Sequence, residues 1–245
     1  MKICLAATAS MYPENKPLIT EIPYVLESFC YIRDFQLPLI KTADLFLLDS
    51  GAFTFLSNAK SKVDWNDYVT RYIDFINQYD VANFFELDID AIVGYEKVKE
   101  IRKRIEIETG KKTIPVWHKS RGIEEFKRLV SEYDYIAVGG FAIKDIKREE
   151  YSKIKKLVRY AFEHKVKVHG LGFTPKDVTD YAFYSCDSSS WATCKRYGKV
   201  YKFADGNIKI VNPAGMGTKR DMQPQIERIT LKEWIKYQKF MSKDD

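Results

Sequence analysis

Short apolar runs alternate along the chain with longer stretches whose apolar residues recur at helical spacing, and this rhythm restricts the fold more than any other feature. Segments 2–9 (KICLAATA), 45–51 (LFLLDSG), 81–90 (VANFFELDID), 112–119 (KTIPVWHK), 135–142 (YIAVGGFA), 166–173 (VKVHGLGF) and 183–191 (FYSCDSSSW) read as strands. Residues 19–35, 64–80, 94–110, 122–134, 148–165 and 174–182 read as helices. Asp64 is a capping residue ahead of Tyr68, Tyr72, Ile73 and Ile76 at helical spacing. Gly110 is a common helix stop, and Thr174 before Pro175 is a helix start. Strands joined through helices lie parallel in one sheet. Seven or eight such units in 245 residues favour an α/β fold, a single-domain (β/α)8 TIM-type barrel over 1–245. A doubly wound open sheet is the rival arrangement. Near the end the rhythm changes. Two short β-like runs flank Asp205 and Gly206, a hairpin signal, and a Gly-rich basic loop leads to a helix at 231–243.

Composition sets the remaining bounds. Hydrophobic residues make up 45% of the chain, enough for a full core. The net charge of +6 is a mild basic bias, compatible with a phosphate-bearing partner and equally with an ordinary surface. Cys4, Cys30, Cys186 and Cys194 form no C-x-x-C pair, so no zinc framework is visible and no cofactor is expected. The opening segment reads as a first strand rather than a leader. No apolar run approaches the ~18 residues of a membrane span. The expected setting is a reduced cytoplasm.

In barrels, active sites form at the C-terminal ends of the strands. Those ends carry Asp49, Ser50 and Phe53, then Glu86, Asp88 and Asp90, then Trp117, His118 and Lys119. They continue with Gly139, Gly140 and Phe141, with His169, Leu171, Gly172 and Phe173, and with Asp187 and three serines. Carboxylates can act as nucleophile or general acid and base. Glycines let a flat ligand reach backbone N–H groups, and aromatics stack on heterocycles. Such a set suits a planar, hydrogen-bonding substrate such as a nucleobase. Singly, each residue also has a structural role open to it: an Asp after a strand caps the next helix, and a lone histidine often serves packing.

At this point the chain resembles the tRNA-guanine transglycosylase family, the base-exchanging enzymes of queuosine and archaeosine formation. DSGAFTF (49–55) resembles that family's DSGGFQ, and LDIDAI (87–92) its LDIPT segment. YIAVGGFA (135–142) resembles YAIGGLA, HGLGF (169–173) resembles YLMGVG, and CDSSSW (186–191) resembles FDSAAY, all in the family's order. The resemblance implies that Asp187 is the nucleophile at C1′ and Asp49 the acid/base residue beside the exchanged base. It implies that Ser50 adjoins the base, Phe53 stacks on it, and Leu171 or Phe173 covers its other face. Asp88 would read the guanine amino edge, with Gly139, Gly140 and the Phe141 backbone meeting its carbonyl. Asp90 stands where some relatives have Pro, and its role beside the substrate is left open; His118, after PVW, would line the cleft. Lys195, Arg196, Lys219 and Arg220 would meet phosphates.

The family's zinc subdomain is missing from the pattern, because only Cys194 and no histidine comes after Asp187. The chain is also shorter than the tRNA enzymes, with no place for a PUA-like domain. It looks more like the short relatives of phages and bacterial modification islands, for which the resemblance implies insertion of 7-deazaguanine into DNA. The expected partners are therefore a nucleic acid, DNA over tRNA, and guanine or a 7-deazaguanine base, with a homodimer or partner subunit left open. A tRNA enzyme, a nucleoside or glycoside hydrolase, and an inactive nucleic-acid-binding barrel are the alternatives.

Overall fold

The computed structural model describes residues 1–51, 54, 63–212 and 220–243. Its centre is a curled, all-parallel sheet of seven strands. They are β1 (Lys2–Ala6), β2 (Tyr24–Ser28), β3 (Leu45–Asp49), β4 (Val116–Trp117), β5 (Tyr135–Val138), β6 (Lys167–Gly170) and β7 (Ser185–Ser188). Their order across the sheet is β3-β2-β1-β7-β6-β5-β4. The register sets Ser28 beside Asp49 and Cys4 beside Asp187. Beyond the edges, two isolated parallel bridges join Leu48 to Phe84 and Phe85 to Ile114.

Five longer helices cover one face: α1 (Trp65–Tyr79), α2 (Tyr95–Thr109), α3 (Gly122–Glu132), α4 (Tyr151–Glu163) and α5 (Gln223–Met241). Asp64 caps α1 by accepting from the N–H groups of Asn66 and Asp67. Gly110 ends α2 in the left-handed region at φ 67°. The hairpin at Asp205 and Gly206 forms between β8 (Val200–Ala204) and β9 (Asn207–Val211). It packs on α5 through Tyr201 against Trp234, ring centroids 5.3 Å apart. No helix among the described residues is long and apolar enough to cross a membrane.

The helix expected over 19–35 is corrected to a strand, β2, preceded by a 3-10 segment at Pro13–Glu21. Tyr24, Val25 and Leu26 are all buried. A strand buried on both faces shows a continuous apolar run, which periodicity does not separate from a buried helix. Pro23 also disfavours helical backbone at the residue before it. Residues 174–182 hold only a 3-10 turn, Val178–Asp180, and the final helix begins at Gln223 rather than at 231.

Two apolar clusters flank the sheet. The larger lies between strands and helices. The smaller, with Cys4, Ala6, Leu26, Leu47, Phe85, Val116 and Ala137, draws on no helix. Side chains alternate along a strand, so two residues beyond this inner layer the same face is reached again. From Leu26, Leu47, Val116 and Ala137 that step arrives at Ser28, Asp49, His118 and Gly139. The inner apolar layer is thus the floor of whatever those residues form.

Candidate active site

A cavity of about 340 Å³ opens over that floor, lined by Asp49, Asp88, His118, Gly139, Gly140, Leu171 and Asp187 among others. Strand ends bring Asp49, Asp187, His118 and the two glycines together, and Asp88 joins them from residues 81–90, a segment expected as a strand that pairs only through the isolated bridges at Phe84 and Phe85. Each carboxylate has different partners.

Asp49 ends β3, and its Oδ2 accepts from the Gly51 N–H at 3.0 Å. Burial, then the charges of Asp88 and Asp187, push its carboxyl up to about 7, against the opposing effect of Gly51 and the Ser28 hydroxyl. Gly51 sits at φ 77°, and a Cβ there would lie 2.4 Å from the Cys30 sulfur, so the turn after Asp49 requires glycine.

Asp88 meets Nε2 of His118 at 3.1 Å. Burial opposes the charged imidazole, but the hydrogen bond and charge of Asp88 outweigh it and raise the His118 pKa. The His118 ring rests on Gly139, where a Cβ would come within 2.6 Å of Cε1. Gly140 turns the chain at φ 98°, its carbonyl accepting from the N–H groups of Asp145 and Ile146.

Asp187 lies in β7 and is 9% exposed. Its Oδ1 accepts from the Gly172 N–H at 2.6 Å and contacts His169 Nε2 at 3.2 Å. His169 is fully buried, with Nδ1 2.6 Å from Ser185 Oγ, which lies 2.5 Å from the Tyr135 hydroxyl.

Several expected site residues stand elsewhere. Phe173, 1% exposed, packs in an aromatic cluster with Phe141, Tyr151, Tyr181 and Phe183, so its ring supports the site from the core instead of covering a ligand. Ser50 is fully buried, its carbonyl accepting from the Tyr68 hydroxyl. Asp90 begins a short helix and pairs with Arg121 at 3.1 Å, which holds its carboxyl low despite burial. It lines an adjoining pocket of about 330 Å³ that shares Asp88 and His118 with the first. Glu86 is fully buried between Arg102 and Arg121 and accepts from the Val116 N–H, a structural hub rather than a cavity group.

Lys195 is corrected as a phosphate contact. It is 8% exposed, ion-paired to Glu227, and donates to the Ser10 carbonyl at 2.9 Å. Arg196 and Arg220 are exposed. Phe53 and Lys219 lie outside the described residues.

Ser28, Ser185 and Tyr135 join the site without standing out in the sequence. A helix over 19–35 conceals Ser28 as a strand end. The signal for Ser185 is its place two residues before Asp187 on the same strand face. Among the described residues no group of three or more His, Cys, Asp or Glu side chains is arranged to hold a metal ion. No family model matches the chain, and no curated protein matches it in sequence.

Proposed function

We propose that the chain is a guanine transglycosylase that exchanges guanine in a nucleic acid, DNA in the first instance, for a 7-deazaguanine base. One observation carries this reading: Asp49, Asp88 and Asp187 share a single cavity of about 340 Å³, each with its own hydrogen-bond partners. Asp187, fixed through Oδ1 by Gly172 and His169, is the nucleophile. Its carboxylate attacks C1′, the glycosidic C–N bond breaks, and the bonding electrons leave with the base. Asp49, near neutrality at about 7, gives the departing base a proton and later removes one from the incoming base. The new base then attacks C1′ and restores the Asp187 carboxylate. Asp88, oriented by His118, accepts from the amino edge of the base, and Leu171 covers one face of it.

A closed barrel belongs to the same proposal. The bridges at Leu48–Phe84 and Phe85–Ile114 support residues 84–85 as an eighth strand joining β3 to β4. The preference for DNA rests on the segment C-terminal to Asp187. That segment carries a hairpin packed on α5, with one cysteine and no histidine, where the tRNA enzymes' pattern calls for a zinc subdomain. The target nucleotide has to leave the stack to reach such a cavity.

The test is exchange of radiolabelled guanine into DNA and, separately, into tRNA, with Asp187→Asn as control. Label in DNA that is absent with the variant, together with a denaturant-stable protein–DNA adduct, supports the proposal. Full turnover by Asp187→Asn would sink it. Release of free guanine without incorporation would point instead to a hydrolase using the same pair of carboxylates.

A further inference from the structure

The polar chain beneath Asp187 is more specific than a structural plug. We infer that Tyr135, Ser185 and His169 form a one-directional hydrogen-bond relay that sets the proton of a neutral His169 on Nε2 and makes it the positioning residue of Asp187. The kinetic part of this inference rests on the function proposed above; the tautomer does not.

For a neutral His169 beside an ionised Asp187, the direction follows from counting protons. An ionised carboxylate only accepts, so the 3.2 Å contact from His169 Nε2 to Asp187 Oδ1 needs its proton on Nε2. A neutral imidazole then has an acceptor at Nδ1, so the Ser185 hydroxyl, 2.6 Å away, donates to it. Having spent its one proton, Ser185 Oγ accepts from Tyr135, whose hydroxyl lies 2.5 Å from it. Every contact in the chain is satisfied in this one direction.

Location makes the direction matter. His169 is fully buried beside the Phe85 ring, with centroids 5.3 Å apart, and Ser185 is also fully buried. A reversed tautomer would set a lone pair against the carboxylate where water is excluded. A neutral donor also orients Asp187 without cancelling the charge that makes it nucleophilic. Both donors to Asp187 use Oδ1, and among the described residues no hydrogen bond reaches Oδ2. The relay therefore reserves Oδ2 for the ligand.

The direct test is nitrogen NMR of histidine-labelled protein at pH 7. The chain has three histidines, and the spectrum of His169→Gln assigns the resonances. His169 should show a protonated Nε2 and an unprotonated Nδ1. An imidazolium, or a proton on Nδ1, would overturn the relay. Ser185→Ala leaves Nδ1 without its donor and should lower kcat for guanine exchange about tenfold with KM unchanged, the rate equivalent of one positioning hydrogen bond. His169→Gln, which keeps an N–H for Asp187, should retain more kcat than His169→Leu; equal loss in both would reduce His169 to packing. Wild-type protein that exchanges no base would refute the proposed function and leave the tautomer result standing.

Discussion

Asp49 shows how position moves an ordinary carboxyl toward neutral pH. Its pKa is raised from 3.8 to about 7, so between those values the folded chain holds a proton that the unfolded chain has released. The contribution to stability is complete below the unfolded value and is lost as pH rises through the folded one. Asp49→Asn should therefore raise stability at pH 8 by about 2 kcal/mol, less than the full shift because the carboxyl faces an open cavity, with the gain vanishing near pH 4. Thermal melts of both proteins across that range would check it. The same titration predicts that single-turnover release of guanine falls above about pH 7 in the wild type. Gly139 makes a second residue-scale case. Its sequence context suggests close approach to a ligand, yet the His118 ring fills the space where a Cβ would stand. Gly139→Ala should displace that ring and break its contact with Asp88. We expect KM for nucleic acid to rise about tenfold, the loss of one hydrogen bond to a charged group, with the protein still folded by circular dichroism.

At the scale of elements, Lys195 marks the limit of reading charge from sequence. It comes after Asp187 in a basic stretch, but Glu227 of α5 draws it inward. Glu227 also accepts from the Tyr12 N–H and the Asn15 amide, each at 2.8 Å, and so ties α5 to the 3-10 segments after β1. Lys195→Met leaves a buried carboxylate without its cation, and should cost about 3 kcal/mol in urea unfolding. Arg196→Ala should change stability by less than about 0.5 kcal/mol while lowering DNA affinity and flattening its salt dependence. An unchanged midpoint for Lys195→Met would refute the structural role. Several elements were legible from local chemistry, although the Thr174–Pro175 start yields only a 3-10 turn. Asp64 at a cap, Gly110 at a stop, and Asp205 with Gly206 at left-handed φ in a hairpin each act within a few residues. Strand β2 was not legible, because its apolar run reflects burial on two sides, which belongs to the assembled sheet.

At the scale of the molecule, the seam at residues 84–85 carries the most information. The Phe85 N–H donates to the Leu48 carbonyl at 3.0 Å, and the Ile114 N–H to the Phe84 carbonyl at 2.8 Å. The Tyr72 hydroxyl of α1 donates to the Phe85 carbonyl at 2.9 Å, pinning the seam from outside. If the barrel closes there, the Phe85 and Ile114 amides should exchange as slowly as those of β1. Tyr72→Phe should cost about 1 kcal/mol and speed exchange at the seam before the rest of the sheet. Fast exchange of both amides in the wild type would mean an open half-barrel.

Covalent order was enough to set most of the alternation of strand and helix, the parallel sheet that this alternation requires, and the strand-end positions of Asp49, His118 and Asp187. Each of these depends on side-chain period and on residues a few places apart, which are local properties. Three other outcomes were settled in the folded chain alone: Phe173 packs inward, Lys195 pairs with Glu227, and Tyr135, Ser185 and His169 line up beneath Asp187. They depend on which distant segments share a dry interior, and there burial and hydrogen-bond satisfaction outweigh the preferences of neighbouring residues.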